Sequence, residues 1–155
     1  MQRWLGSALL LVACGGGTSA PDAAQPVTSA KGAVLSFMQA VADSNLDRMA
    51  SLWGTANGPA SKTNSPPDWR RRIAVMQAYL RNRTFRVTSD QPEANENRRA
   101  VQVELKRDTC TWSVPFVAVK TASGTWLVTQ MDLAAAGNPA RPCVDPASVD
   151  TSDQG

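Results

Sequence analysis

Few residues in this chain are able to do chemistry. Histidine is absent, which removes the commonest general base and the commonest metal ligand. Asp43 and Asp47 are spaced like paired carboxylates, yet both stand where one helix gives way to the next, and cap and solvent roles account for them. Asp132 is the candidate catalytic base, with Tyr79, the chain's one tyrosine, as a possible neighbour. A buried aspartate with a raised pKa can take a proton, the step that isomerases and dehydratases need. Capping at a strand end, or pairing with Lys120 or an arginine, is the plainer role for the same residue. Trp112, Phe116, Trp126 and Gln130 are the candidate lining of a ligand pocket. Arg70, Arg71, Arg72, Arg98 and Arg99, with Arg81, Arg83 and Arg86 between them, are candidate anion-binding residues. The planar guanidinium fork suits phosphates, lipid headgroups and carboxylates. The plainer reading of these arginines is a solvated face.

Helices must position the first part of this set. Val34, Leu35, Phe37, Met38, Val41 and Ala42 recur at helical spacing. Ser44 is expected to cap a second short helix, with Asp47 three residues on and Leu46, Met49, Leu52 and Trp53 on its buried side. Residues 54–67 are rich in Gly, Pro, Asn and Ser and read as a loop with no clear strands. Ser65-Pro66-Pro67-Asp68 then reads as a helix start, and the helix runs to about Leu80, burying Trp69, Ile73, Met76, Tyr79 and Leu80. Arg70, Arg71 and Arg72 fall in its first two turns, where the helix dipole gives cations no help.

From Arg83 onward the apolar period changes to two. Four antiparallel strands are expected: one beginning at Thr84, one through Val101, Val103 and Leu105, then 111–120 and 125–133. Residues 91–97 read as a turn. Ala122-Ser123-Gly124 fits a three-residue hairpin loop with glycine left-handed, placing Ala118 opposite Val128 and Phe116 opposite Gln130. A tight turn at Asp108-Thr109 places Leu105 opposite Trp112 and Val103 opposite Val114. Both registers put Phe85, Val87, Val101, Val103, Leu105, Trp112, Val114, Phe116, Ala118, Trp126 and Val128 on one face, the core. Gln130 and Asp132 are the polar residues expected on that face. The opposite face carries an apolar patch, Val117, Val119, Leu127, Met131 and Leu133, the kind of surface on which a homodimer or partner docks unless the tail covers it.

The fold class expected is α+β, with N-terminal helices packed on one face of a curved, cone-like, four-stranded antiparallel sheet. The chain has 155 residues, 43% of them apolar and 19% charged, enough for one globular domain. A net charge of +3 implies no partner by itself, although residues 31–133 carry 14 Lys or Arg against nine Asp or Glu.

The amino terminus supplies the compartment. Arg3 precedes a short apolar run from Trp4 to Val12, then Leu11-Val12-Ala13-Cys14 and three glycines. A charged start, an apolar run and a small-residue cleavage site make a secretory signal. A membrane span needs about 20 apolar residues, and this run is about half that. Leu-Val-Ala-Cys resembles the lipobox of bacterial lipoproteins at all four positions. That resemblance implies a signal peptide over 1–13, diacylglycerol on the Cys14 sulfur, and acylation of the new amino terminus. The plain alternative is an ordinary signal peptide ending near a cysteine. Two or more acyl chains anchor stably where one does not. Gly15 rather than Asp after the cysteine implies, by the same resemblance, the outer membrane, facing the periplasm. Residues 14–30 then hold the lipidated cysteine and a flexible tether with about 20–25 Å of r.m.s. reach.

With Cys14 given to lipid, Cys110 and Cys143 are an even pair in an oxidising compartment, the arithmetic of one disulfide. Two cysteines without histidine fall short of a four-ligand metal site, and no metal or cofactor is expected. A Cys110–Cys143 bridge would pin the tail, residues 134–155, near the sheet edge. Nucleic acid is not expected as a partner of a tethered domain that lacks aromatic–basic interleaving.

Over residues 31–133 the chain resembles the nuclear-transport-factor-two-like superfamily, the α+β cone shared with ketosteroid isomerase and scytalone dehydratase. The resemblance rests on Val34-Leu35-Ser36-Phe37-Met38-Gln39-Ala40-Val41 leading into Asn45-Leu46-Asp47-Arg48-Met49, with Leu52-Trp53 closing the second helix. It rests also on Ser123-Gly124-Thr125-Trp126-Leu127-Val128, similar to the Gly-x-Trp turn of bacterial lipoprotein members. Family members often carry a short hairpin between the second and third helices. Family enzymes place a carboxylate and hydrogen-bond donors inside the cone, which implies a role for Asp132. Trp53, Trp69, Trp112 and Trp126 favour a filled cone instead, and fold alone does not give activity. The reading that needs only the anchor, the tether and a closed domain is a non-catalytic binding or scaffold lipoprotein with an envelope partner. An isomerase-like enzyme and an anion binder are its alternatives.

Overall fold

The computed structural model describes residues 26–141 and 143. The expected signal peptide, Cys14, most of the tether and the end of the tail lie outside the described residues.

The first helix, α1 (Ala30–Ala42), starts where the Ser29 hydroxyl accepts from the Gly32 N–H at 3.0 Å. It buries Ala33, Val34, Phe37, Met38 and Val41, so the apolar periodicity translates directly into one packed face. The second helix, α2 (Leu46–Leu52), is capped by Asn45, whose side chain accepts from Arg48 N–H at 2.9 Å. Ser44, the expected cap, stands one residue early at φ 53°. A capping residue takes an extended backbone, and the reversal between the helices uses Ser44 in the left-handed region instead. Asp43 ends α1 and accepts from Gln39, while Asp47 lies in the first turn of α2.

Residues 54–67 are more ordered than their composition predicts. A minimal hairpin, β1 (Gly54–Thr55) with β2 (Gly58–Pro59), leads into a single helical turn, α3 (Ala60–Thr63). The strands approach so closely that a Cβ at Gly54 would collide with the Gly58 carbonyl and with Pro59. Composition alone hides such a hairpin, because Gly and Pro read as breakers wherever they stand. The next helix, α4 (Trp69–Leu80), ends as expected but starts at Asp68 rather than Ser65, with no side-chain cap. The Asp68 carboxylate is engaged instead by Arg72 Nε at 2.9 Å.

Four strands follow: β3 (Thr84–Pro92), β4 (Arg98–Arg107), β5 (Cys110–Lys120) and β6 (Trp126–Met131). They form an open antiparallel sheet in the order β3-β4-β5-β6. The β3 strand is longer than predicted and takes up Gln91 and Pro92. Leu105 faces Trp112, Val103 faces Val114 and Ala118 faces Val128, all as the alternation requires. Gly124 takes φ 85° in the β5–β6 turn and Asp108 takes φ 54° in the β4–β5 turn.

One register changes. An irregularity between Val117 and Ala118 places Phe116 opposite Met131, and Val117 opposite Gln130. An inserted residue of this kind shifts every later side chain to the other face. Gln130 is therefore exposed rather than on the core face, and Met131 packs against the core.

The core is one cluster of α1, α2, α4 and sheet residues, with Phe37 and Phe116 fully buried in edge-on contact at 6.4 Å between ring centres. No polar or charged residue is buried among the described residues. The apolar patch expected on the opposite sheet face does not form as an exposed surface. Val119 and Leu127 are buried at 7% and 1% exposure, Met131 and Leu133 pack against the core, and Val117 alone of the five is half-buried outside the core cluster. The far edge of β6 is occupied: Trp126 N–H donates to the Val27 carbonyl at 2.8 Å, and Trp53 bridges Val128. After β6 a short 3-10 turn, Ala134–Ala136, folds back against β5. Cys143 lies beside Cys110 at disulfide distance, 5.9 Å between Cα atoms. The bridge ties the described end of the tail to the β4–β5 turn, as expected.

Candidate functional site

The expected catalytic pair is not assembled. Asp132 is exposed just beyond β6, and its carboxylate accepts from the N–H groups of Ala134 and Ala135 at 3.0 and 3.3 Å. It caps the turn that follows the strand. Tyr79 contributes its backbone carbonyl to Arg107 rather than its hydroxyl to a site. The expected pocket lining is split as well. Phe116 and Trp126 are core packing, Trp112 is half-buried, and Gln130 faces away from all three.

The sequence offered no reason to single out Arg107, and its guanidinium closes this end of the core. It donates to the carbonyls of Tyr79 and Ala136, each at 2.9 Å, and lies over the Trp112 ring at 4.6 Å. One side chain thus ties the end of α4, the end of β4 and the turn after β6 to an aromatic on β5. The only available signal was a basic residue at a strand end, close in sequence to a tryptophan.

The arginines divide into two groups. On the sheet they are spent on carboxylates. Arg86 makes a two-pronged pair with Glu104 at 2.8 and 2.9 Å, Arg98 meets Glu93 at 2.9 Å, and Arg99 meets Asp90. The Arg86 hydrogen bonds hold the Glu104 carboxyl below its ordinary pKa and raise that of Arg86 in return. On α4, Arg70 stacks over Trp69 at 4.4 Å and Arg72 pairs with Asp68, whose pKa that hydrogen bond lowers. Arg71 has no hydrogen-bond or ion-pair partner among the described residues.

Arg71 borders a cleft of about 430 Å³ between α4 and β6. Arg71, Arg72 and Asp68 form one polar end with Thr129 and Gln130; Val75, Met76, Met131 and Leu133 supply an apolar wall. Trp53 completes it. Its side chain is buried at 7% exposure, and its indole N–H has no acceptor among the described residues. A larger cleft, about 710 Å³, lies between the β1–β2 hairpin and the β5–β6 turn, with Lys62 as its one charged residue among the described residues. No unsatisfied buried group borders that second cleft among the described residues. The α4–β6 cleft is therefore the better candidate site. By sequence Arg71 and Arg72 belong to the anion-binding set and Gln130 to the pocket lining; the β6 irregularity and the α4 packing bring them to one cleft. Trp53 had been read as packing alone.

No protein-family model matches the chain, and no curated protein matches it. Among the described residues no helix is long and apolar enough to cross a membrane.

Proposed function

We propose that this chain is a lipid-anchored protein of the bacterial cell envelope, its folded part a binding domain rather than an enzyme. Cys14 carries the lipid, residues 1–13 are the signal peptide removed before it, and the outer membrane is the site of anchoring. The folded domain is a nuclear-transport-factor-two-like cone. The β1–β2 hairpin between α2 and α4 supports that assignment, since family members often carry a hairpin at that position.

One observation carries the binding reading. The side of the sheet where family enzymes keep a carboxylate is filled with apolar side chains, Phe37, Phe116, Met38 and Met49 among them, and unspent polar groups gather in a cleft outside it. Buried side chains of this size occupy the interior that a substrate would need. The isomerase-like alternative needs Asp132 inside the cone, and its carboxylate is committed to two backbone N–H groups. The anion-binding alternative keeps one specific support, the unpaired Arg71.

The test of the anchor is metabolic labelling with radioactive palmitate, followed by membrane fractionation. Label in the wild-type chain, lost on C14S, with the protein in the outer-membrane fraction, is the expected result. An unlabelled, full-length chain in the cytosol with Cys110 and Cys143 reduced would overturn the reading.

A further inference from the structure

We infer that the cleft between α4 and β6 is a binding site for an aliphatic carboxylate, with Arg71 holding the head group. The inference rests on the binding-domain reading and gives that domain a ligand class.

The charges of the cleft select the sign and size of the head group. Arg72 and Asp68 pair with each other at 2.9 Å, so their charges largely cancel. Arg71 remains as the one charged residue of the described lining without an ion pair, and it feels only a minor attraction from the Asp68 carboxylate. A single free guanidinium matches a single negative charge, and its fork matches the two oxygens of a carboxylate. Arg71 lies in the first turn of α4, where the helix dipole opposes a cation and favours an anion. The position is unfavourable for an arginine alone and favourable for an arginine with an anion beside it.

The rest of the lining selects the tail. Val75, Met76, Met131 and Leu133 form an apolar wall beside the charged end, and Val75 is 41% exposed at its rim. Methionine side chains adapt to flexible apolar ligands better than branched ones do. A volume of about 430 Å³ falls within the range of small-molecule clefts. Trp53 also lines the cleft and places an intrinsic fluorophore beside any ligand held there.

Decanoate is the probe, titrated by calorimetry and tryptophan emission into the full chain carrying C14S, which removes the acylation site and the need for detergent. One saturable site is expected, with decanol at least tenfold weaker and R71Q weakening decanoate at least tenfold. R98Q, which removes an arginine already paired on the sheet, should leave affinity within twofold. W53F should abolish most of the emission change. Absence of saturable binding, equal affinity for decanol, or unchanged affinity in R71Q would each overturn the proposal. The decanol comparison uses only the C14S parent chain and stands even if a cleft variant folds poorly. Palmitate labelling at Cys14 succeeds or fails independently, so the two readings can be told apart.

Discussion

Arg107 lies over the face of Trp112, 4.6 Å from the ring centre, while its two terminal nitrogens reach the carbonyls of Tyr79 and Ala136. The contact joins the end of α4 and the turn after β6 to the paired strands β4 and β5. R107A should cost about 2–3 kcal/mol, the combined loss of a cation–π contact and hydrogen bonds from a charged donor. R107K should recover less than half, because an ammonium lacks the fork that spans both carbonyls. Urea unfolding of the two variants checks this, and equal stability of R107A and the parent would exclude the clamp.

Gly54 is held against Gly58 and Pro59 in the β1–β2 hairpin, with no room for a methyl group. G54A should therefore destabilise the domain by about 1–3 kcal/mol, the usual size of an overpacking cost. A thermal midpoint unchanged within error would show that the hairpin can open without consequence.

The bridge between Cys110 and Cys143 closes 33 residues of sequence separation. C143S should lower stability by about 3–4 kcal/mol in the chain-entropy view. The same loss should follow when the parent chain is unfolded in urea with a reductant present. A parent chain indifferent to reductant would leave the tail without a thermodynamic role.

Asp68 and Glu104 both have carboxyl pKa values depressed by arginine hydrogen bonds. The folded chain thus releases these protons more readily than the unfolded one. Their contribution is present above the ordinary carboxylate range and is lost as pH falls through the lower, folded values. Stability should decline below about pH 4. The double variant D68N/E104Q should show a shallower acid limb in chemical unfolding from pH 6 to 2.5. Both pairs are exposed, so the effect is small and should shrink further in high salt. An acid limb of unchanged slope would assign the acid sensitivity to other groups.

The alternation of Val101, Val103, Leu105 with Trp112, Val114, Phe116 was enough to set the β4–β5 register, because a slip of one residue would turn every apolar side chain to water. The same logic failed at the end of β6. An irregularity leaves the strand's composition untouched and changes which face each later residue occupies, so Gln130 and Met131 exchanged places. It failed again at Ser44 and Asn45, two good capping residues in succession, where the turn between helices decides which one is extended.

Local physics written in residue order settled the helices α1 and α4, the antiparallel strand run, the Gly124 turn and the Cys110–Cys143 partnership. Each depends on periodicity, chirality or counting, and these survive without knowledge of the neighbours. The edge of β6, the Arg107 clamp and the cleft beneath Arg71 were decided only in three dimensions. Their parts come from segments far apart in the chain, and which groups remain unpaired depends on the packing of all the others.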